Sequence, residues 1–474
     1  MPIAIDRSRC VRVGMAAAVL LLGLAGEARA QDEAGLPTEK EQEEAKGEDE
    51  EEQPEEKLEE KDEQGEKEKA EVEAKEGKYE NTFAGQFSPG EGFDLIKTTR
   101  GSLNLSVYGL VRYMNQMPGD QTYRDHLGRE RVVEARNDLN WHRSFLWASG
   151  FFWNPRLRYT LTVWSLPTTE QTLVFGLIRF IVGKGLTFGA GIGPNLTARS
   201  MQGSWPFWAS SDRQMAEEFY RGGFSSAFFI TGEPVETLYY TVSVNRSLSQ
   251  LGITAINDNR SFSYSASVWW MPTTNEFGPR GGFGDLEDHQ EVATRVGMSI
   301  CRAEEARYAP VDQPPRHGQL KLSDGVNPFE TGALAEGVTV KELDYGEVAV
   351  DAGLKYRGLS LQAEYGIRRL SNFEATGPVP EDSIFDHGFF AQAGYMVVKK
   401  RVGLYTTGSL IFDEFDRQPW ELSGGASYYP SGTRNLRLNL HYIHVEQSPT
   451  GSSFGFYTAG QSGDTISLGA DFLL

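Results

Sequence analysis

The sequence predicts an all-β protein, a transmembrane antiparallel β-barrel of sixteen strands, and three observations support this prediction. From residue 81 onward, apolar and polar side chains alternate over segments of about ten residues, which is the period of a strand with one apolar face. The sequence contains no run of roughly eighteen apolar residues, which a membrane-spanning helix requires. Short and long connections alternate between the segments, as in a barrel that crosses a bilayer.

The first 30 residues have the pattern of a secretory signal peptide. Arg7, Arg9 and Arg12 precede the apolar run 13–25, and a small-x-small tripeptide at 28–30 follows as a cleavage site. The run is shorter than the roughly 20 residues of a helical bilayer span. We therefore expect the protein to leave the cytoplasm, and the strands that follow predict the outer membrane of a Gram-negative-type bacterium as its destination.

Residues 31–80 form an acidic low-complexity segment with 23 acidic and 8 basic side chains. Its few apolar residues cannot offset the entropy of ordering the chain, so the composition predicts a disordered periplasmic extension. A solvated spacer is favoured over a partner-binding role, and both interpretations stay open. The predicted barrel, 81–474, carries a net charge of only −7, and this acidic balance argues against nucleic-acid binding.

Alternation of side chains along the chain predicts the individual strands. Leu157, Tyr159 and Leu161 alternate with Arg158 and Thr160, so one face of this segment is apolar. We assign such faces to lipid and the polar faces to the lumen. A soluble β-sandwich has the same period, so the connections must decide between the two folds. The sixteen strands are predicted at about 102–117, 139–152, 156–166, 171–182, 184–192, 222–232, 237–247, 261–271, 291–303, 343–356, 358–369, 387–398, 402–414, 419–429, 434–447 and 464–474.

The lengths of the connections favour the barrel. Connections 2–3, 4–5, 6–7, 10–11, 12–13 and 14–15 are short, and most of their alternates are long. This parity is typical of an outer-membrane barrel whose short turns and chain ends are periplasmic. Connection 8–9 is an exception, because it is long where a turn is expected, and loops 3–4 and 13–14 are short. The same count makes 193–221 the third external loop.

Several separated motifs resemble the phosphate-selective porin family, porins O and P. They are Phe87-Ser-Pro-Gly-Glu-Gly-Phe93, Asn154-Pro-Arg-Leu-Arg-Tyr159, the long segment 199–224, Gly232-Glu-Pro234 and Asn245-Arg-Ser-Leu-Ser249. The resemblance covers residues 83–474 and implies a trimeric outer-membrane pore that an inward-folded third loop narrows. The chain departs from the family pattern in lacking a terminal aromatic residue. Only seven lysines follow residue 80, so the family's lysine-lined phosphate pathway does not carry over.

Charged side chains in the predicted lumen are the candidates for ion selectivity. They suit either a weakly anion-attracting lumen or a self-neutralising ladder that braces the wall, and both interpretations stay open. On the wall, the predicted lumen cations are Arg112, Arg156, Arg158, Arg179, Arg295, Lys355, Arg368 and Arg437, and the predicted anions are Glu347, Asp351, Glu364, Glu421 and Asp471. In the third loop, the constriction candidates are Arg199, Asp212, Arg213, Glu217, Glu218 and Arg221.

The third loop also contains Trp205, Phe207 and Trp208. These aromatic residues suit either a loop wedged against the inside of the wall or an external flap at a subunit contact, where Trp and Phe are common. We expect the wedge.

Signals for catalysis or for bound metal are weak. His441 and His444 are three residues apart, which on a strand points them to opposite faces and spoils a metal site. His142 and Ser144 are two residues apart on one predicted face, as a barrel-embedded lipase would need, but the sequence offers no evident third partner. We therefore predict no catalytic residue, no metal ligand and no cofactor.

The predicted function is passive diffusion of small hydrophilic solutes through a water-filled channel with a mild preference for anions. Its expected partners are outer-membrane lipid, these solutes and, by the resemblance, two further copies of the chain. The alternatives are a structural or anchoring protein with a plugged barrel and, less favoured, the lipase.

Overall fold

A computed structural model describes residues 90–167, 170–202, 205–248, 261–277, 283–451 and 454–474. The predicted signal peptide and the acidic segment 31–80 lie outside these residues. The strands of the described residues are β1 Phe93–Thr98, β2 Gly101–Met117, β3 Gln121–Arg124, β4 Glu130–Val133, β5 Asn137–Phe152, β6 Asn154–Leu166, β7 Gln171–Gly183, β8 Leu186–Pro194, β9 Phe224–Val235, β10 Leu238–Asn245, β11 Ser263–Trp270, β12 Ala293–Ala306, β13 Val340–Tyr356, β14 Leu359–Ala375, β15 Ser383–Val398, β16 Val402–Phe412, β17 Trp420–Tyr428, β18 Leu436–Glu446 and β19 Gly463–Leu473.

Two short helical segments lie wholly within the described residues. They are a 3₁₀ turn at Arg199–Gln202 and helix α1 at Met215–Tyr220, and both lie between β8 and β9. No helix in this part of the chain is long and apolar enough to cross a bilayer.

Sixteen of the strands close into one antiparallel barrel. Strands β2 and β5 to β19 pair in chain order, and β19 returns to β2 with Asp464 opposite Met117 and Leu473 opposite Tyr108. Because every strand edge is paired, the backbone polar groups are satisfied without water, which is the condition for crossing lipid. Strand β1 extends the sheet beside β2, below the end of β19, and β3 with β4 forms a separate hairpin.

The structure confirms all sixteen predicted strands. The short connections lie together at one end of the barrel, which we call the turn end, and we call the opposite end the loop end. The largest difference is in β14, which continues to Ala375 because it stays paired with β13 beyond the predicted boundary at 369. Strands β1, β3 and β4 were not predicted, because four to six residues are too few for a clear alternation.

Burial confirms which face points inward. Along β14, Gln362 and Glu364 are buried inside the barrel, whereas Leu361 and Tyr365 are 43% and 38% exposed on the outside. The same alternation recurs in the other barrel strands, so the apolar side chains form the outer surface and polar side chains line the lumen.

Candidate functional site

In the described part of the chain, residues of four connections fold into the lumen from the two ends of the barrel. We call them the inner loop (195–223), the long turn (271–292), the plug loop (307–339) and the last loop (447–462). The long turn enters from the turn end and the other three from the loop end. Their apolar side chains form buried clusters with inward-facing wall residues. The site is therefore a lumen narrowed by several segments, whereas the sequence predicted only the inner loop in this role.

The aromatic residues of the inner loop lie inside the barrel. Trp205 is 4% exposed and packs on two wall residues, with its ring centroid 4.8 Å from that of Tyr108 and 4.8 Å from that of Phe145. Trp208 is also buried and contacts Phe283 of the long turn edge-on. These contacts confirm the predicted wedge and exclude the external flap.

Helix α1 of the inner loop docks against β15, β16 and their neighbours. Its first amide, Met215 N–H, donates to the Glu421 carboxylate of β17 at 3.0 Å, which satisfies one of the amides that a helix start leaves without a partner. Tyr220 at its end lies over Gly366 and Gly388, which are opposite each other on β14 and β15. A Cβ at Gly366 would lie 3.2 Å from the Tyr220 ring, so the paired glycines make room for the helix.

Asp212 joins the inner loop to two wall arginines. Its Oδ2 atom accepts from Arg112 of β2 at 3.4 Å and from Arg143 of β5, and all three side chains are at most 7% exposed. Arg112 also donates to the carbonyls of Phe454 and Gly455 at 3.2 and 3.1 Å. One carboxylate thus connects the wall, the inner loop and the last loop.

Arg199 anchors the start of the inner loop to the opposite wall. Its backbone N–H donates to Glu364 Oε2 at 2.6 Å, and its guanidinium binds the amide oxygen of Gln362. The guanidinium also lies 4.5 Å from the ring centroid of Phe283. Burial lowers the pKa of Arg199 to about 10, so the side chain stays charged at neutral pH. With 3% exposure, it is placed to hold the loop and not to meet a passing solute.

Among the remaining constriction candidates, Arg221 and Glu218 pair with each other, whereas Arg213 binds other partners. Arg221 binds Glu218 through two hydrogen bonds of 2.7 and 2.6 Å, which neutralises both charges. Arg213 is half-buried, stacks 4.6 Å over the Trp208 ring and donates to Ser200 Oγ at 3.2 Å.

Glu217 of helix α1 has a buried carboxylate, and it is close enough to Arg213, which precedes the helix, to interact with its charge. It accepts from the Gln214 backbone N–H at 3.3 Å. Burial raises the pKa of Glu217 from 4.5 to about 7, against the opposing effect of Arg213. This carboxyl group therefore changes its charge near neutral pH.

Most of the predicted wall cations are paired inside the described barrel. Each deep cation has an oxygen partner: Arg295 with Asp351 at 2.9 Å, Arg368 with Asp386 at 2.6 Å, Arg437 with Asp471 at 3.0 Å, and Lys355 with the Phe277 carbonyl at 2.8 Å. These contacts agree with one of the two interpretations of the sequence, the self-neutralising ladder of charges that braces the wall. The partner Asp386 was missed, because it lies just before the predicted start of its strand.

Three predicted wall arginines lie near the turn end and are less buried. Arg156 is exposed, and Arg158 and Arg179 are half-buried. Arg158 of β6 is directly opposite Arg179 of β7 in the strand register. The structure thus separates these three from the deep cations with which the sequence grouped them.

A β-bulge in β5 overturns the lipase interpretation. The register with β2 steps from Leu110 opposite Arg143 to Val111 opposite Trp141, so His142 is the extra residue. Both His142 and Arg143 are consequently buried inside, whereas Ser144 points outward. The prediction that His142 and Ser144 share a face is therefore wrong. The bulge also turns Arg143 inward to Asp212, a contact that strict alternation could not predict.

The two histidines of β18 that the sequence offered as a metal pair, His441 and His444, lie on opposite faces as predicted. On β18, His441 is fully buried inside the barrel, whereas His444 lies on the outer face with its side chain 35% exposed. The two rings therefore point to opposite faces and cannot share a metal ion.

No family model matches the chain, and no curated protein matches it. Among solved structures, the chain is similar to OmpT of Vibrio cholerae, with 12% identity, a TM-score of 0.48, and 80% of this chain and 99% of that chain covered. The anion-selective porin from Comamonas acidovorans is 10% identical with a TM-score of 0.47, and the match covers 78% of this chain and 100% of that chain. The outer-membrane channel DcaP of Acinetobacter baumannii is 10% identical with a TM-score of 0.40, and the match covers 81% of this chain and 99% of that chain. The fold assignment itself rests on the strand pairing described above.

Proposed function

We propose that this protein is an outer-membrane porin that lets small hydrophilic solutes diffuse through a narrow lumen, with a weak preference for anions. The observation that carries the proposal is the closed sixteen-strand barrel with an apolar outer face and a polar inner face. Such an outer face suits a lipid bilayer, and a polar inner face is the lining of the water-filled channel in porins.

The membrane orientation in this proposal follows from the chain ends. Leu474 pairs with Val107 through two backbone hydrogen bonds near the turn end, and Gly90 N–H donates to Ser106 Oγ beside them. Both ends of the described chain thus lie at the turn end, which in outer-membrane barrels faces the periplasm. The acidic segment that precedes residue 81 would accordingly be a periplasmic extension.

The anion preference in this proposal comes from arginines that retain exposed surface. They are Arg213 in the inner loop and Arg156, Arg158 and Arg179 near the turn end. Guanidinium groups suit oxyanions because they offer several donors in one plane. The resemblance to the phosphate-selective family does not extend to its lysine-lined pathway, so we propose a general preference for anions. Trimeric assembly belongs to the proposal by that resemblance.

Neutralising Arg213 is expected to shift selectivity toward cations, because it removes a half-buried positive charge from the inner loop. Reversal potentials of the Arg213→Gln variant in a salt gradient measure the shift, which should shrink at high salt as charges are screened. Arg302→Gln is the matched control, because this arginine lies on the outer face with its side chain 80% exposed. An unchanged reversal potential at low salt would remove Arg213 from the selectivity mechanism.

Selectivity is also expected to depend on pH through Glu217. Since its folded-state pKa is raised to about 7, the carboxyl group is mostly neutral at pH 6 and mostly charged at pH 8. Anion preference should therefore fall as pH rises across this range. Because the folded-state pKa lies above the ordinary value of 4.5, Glu217 contributes folding stability in full below pH 4.5. This contribution is lost as the pH rises from 4.5 to about 7. Glu217→Gln should weaken the pH dependence of the reversal potential, and a variant that keeps this dependence in full would contradict the assignment.

A further inference from the structure

The long turn is the connection that breaks the parity of short turns, and it contains an unusual cluster of side chains. Asp285, Glu287 and His289 recur at every second position, and one ligand atom from each lies within 4.8 Å of the others. Asp285 is 1% exposed and the His289 side chain 5% exposed. Carboxylate and imidazole groups in this combination are typical ligands of divalent transition metals.

One polar atom of this cluster has no partner among the described residues, because Glu287 Oε2 is buried and makes no hydrogen bond. The His289 ring lies between two carboxylates, with Nε2 2.6 Å from Oε1 of a fourth acidic residue, Glu276, and Nδ1 in contact with Asp285 Oδ1. A buried polar atom left in this way costs free energy unless something else satisfies it. Lys355 is close enough to Glu287 to interact with its charge, but its ammonium group donates to the Phe277 carbonyl at 2.8 Å.

We propose that Asp285, Glu287 and His289, with Glu276 beside them, bind a divalent transition-metal ion of the zinc class. An imidazole nitrogen among the ligands favours such an ion over calcium or magnesium, which take oxygen ligands. The ligands are held by their surroundings, because the Gly358 N–H donates to Asp285 Oδ2 at 2.7 Å. Second partners of this kind are a regular feature of metal sites. The sequence predicted no metal site, because nothing in the spacing shows that this turn folds back on itself.

Bound metal would hold the long turn in the lumen. Two hydrogen bonds connect the cluster to the β13–β14 turn. The Gly358 N–H donates to Asp285 Oδ2, and the Arg357 N–H donates to the His289 carbonyl at 2.7 Å. Earlier in the same segment, the Phe283 N–H donates to the Phe207 carbonyl of the inner loop at 3.0 Å. A metal ion at the cluster therefore stabilises the contact between the two segments that narrow the lumen from opposite ends.

Metal binding can be measured on the mature protein refolded in detergent without a histidine tag, by isothermal titration with Zn²⁺ and, separately, with Ca²⁺. We expect one Zn²⁺ per chain and a melting temperature that rises with Zn²⁺ concentration. In Glu287→Gln and His289→Asn, binding should weaken by roughly tenfold or more. Glu287→Gln removes no hydrogen bond at Oε2, so this variant should fold.

Asp288→Asn is the matched control, because this neighbouring carboxylate binds Lys399 and lies outside the cluster. It should keep the affinity of the unmodified protein. Three results would each overturn the proposal: no Zn²⁺ binding, an equal affinity in Glu287→Gln, or tighter binding of Ca²⁺ than of Zn²⁺. If Zn²⁺ does not bind, His289 would instead be a protonated side chain that joins Asp285 to Glu276. The assay needs no conductance, so its outcome is independent of the porin proposal.

Discussion

Replacing Asp212 with Asn is expected to cost about 3–5 kcal/mol of folding free energy, the range for breaking a buried ion pair. The substitution leaves Arg112 and Arg143 buried inside the barrel without the carboxylate that both of them bind. Asp212 and Trp205 both join the inner loop to β2 and β5, so we expect the loss of the Asp212 carboxylate to loosen the loop from this wall. Single-channel conductance of the folded fraction should consequently rise.

Urea unfolding of the protein in detergent, followed by the shift in electrophoretic mobility between folded and unfolded barrel, measures this loss. Asp138→Asn serves as the matched control, because the Arg136–Asp138 pair at 3.1 Å has side chains 19% and 26% exposed. Such partly exposed pairs contribute about 0–1 kcal/mol. If the two variants lost equal stability, the Asp212 contact would not be the anchor that its burial indicates.

Placing an arginine at Leu440 is expected to cost about 2–4 kcal/mol, the range for a charge at the bilayer midplane on the lipid side of a barrel. Leu440 is 48% exposed on the outer face and lies near the middle of β18. A guanidinium group there would meet lipid tails, with no water and no partner.

Leu436 in the same strand provides the control for depth. It is the first residue of β18, also points outward and is 41% exposed at the turn end, so an arginine there should cost only about 0–1 kcal/mol. The same unfolding assay in lipid vesicles compares the two variants. Equal stability of Leu440→Arg and Leu436→Arg would mean that this face does not meet the bilayer.

The barrel could be predicted from the sequence because its two determinants are local. Alternation at every second residue identifies a strand with two different faces, and Leu361 with Gln362 shows the result in β14. Connection length then distinguishes the two ends of the barrel. The position of the inner loop followed from the same count, and its many aromatic residues indicated burial, as Trp205 confirms.

The content of the lumen could not be predicted in the same way, because it depends on contacts between distant segments. One extra residue at His142 reverses the faces of β5 and brings Arg143 to Asp212, and no local pattern marks that bulge. The long turn looked like a failure of the parity rule, whereas its Phe283 packs under Arg199 inside the barrel. Arg368 and Arg437 were placed on the correct face, but their partners emerged only from the closed sheet.

Single-channel recording of the refolded protein in a planar bilayer tests the central claim, a narrowed but conducting lumen, most directly. We expect discrete openings of small conductance, because four connections fold into the barrel, and a reversal potential that favours anions weakly at low salt. Protein that is shown to be folded by its heat-dependent mobility and yet gives no openings would contradict the porin proposal and would support the plugged, anchoring barrel instead.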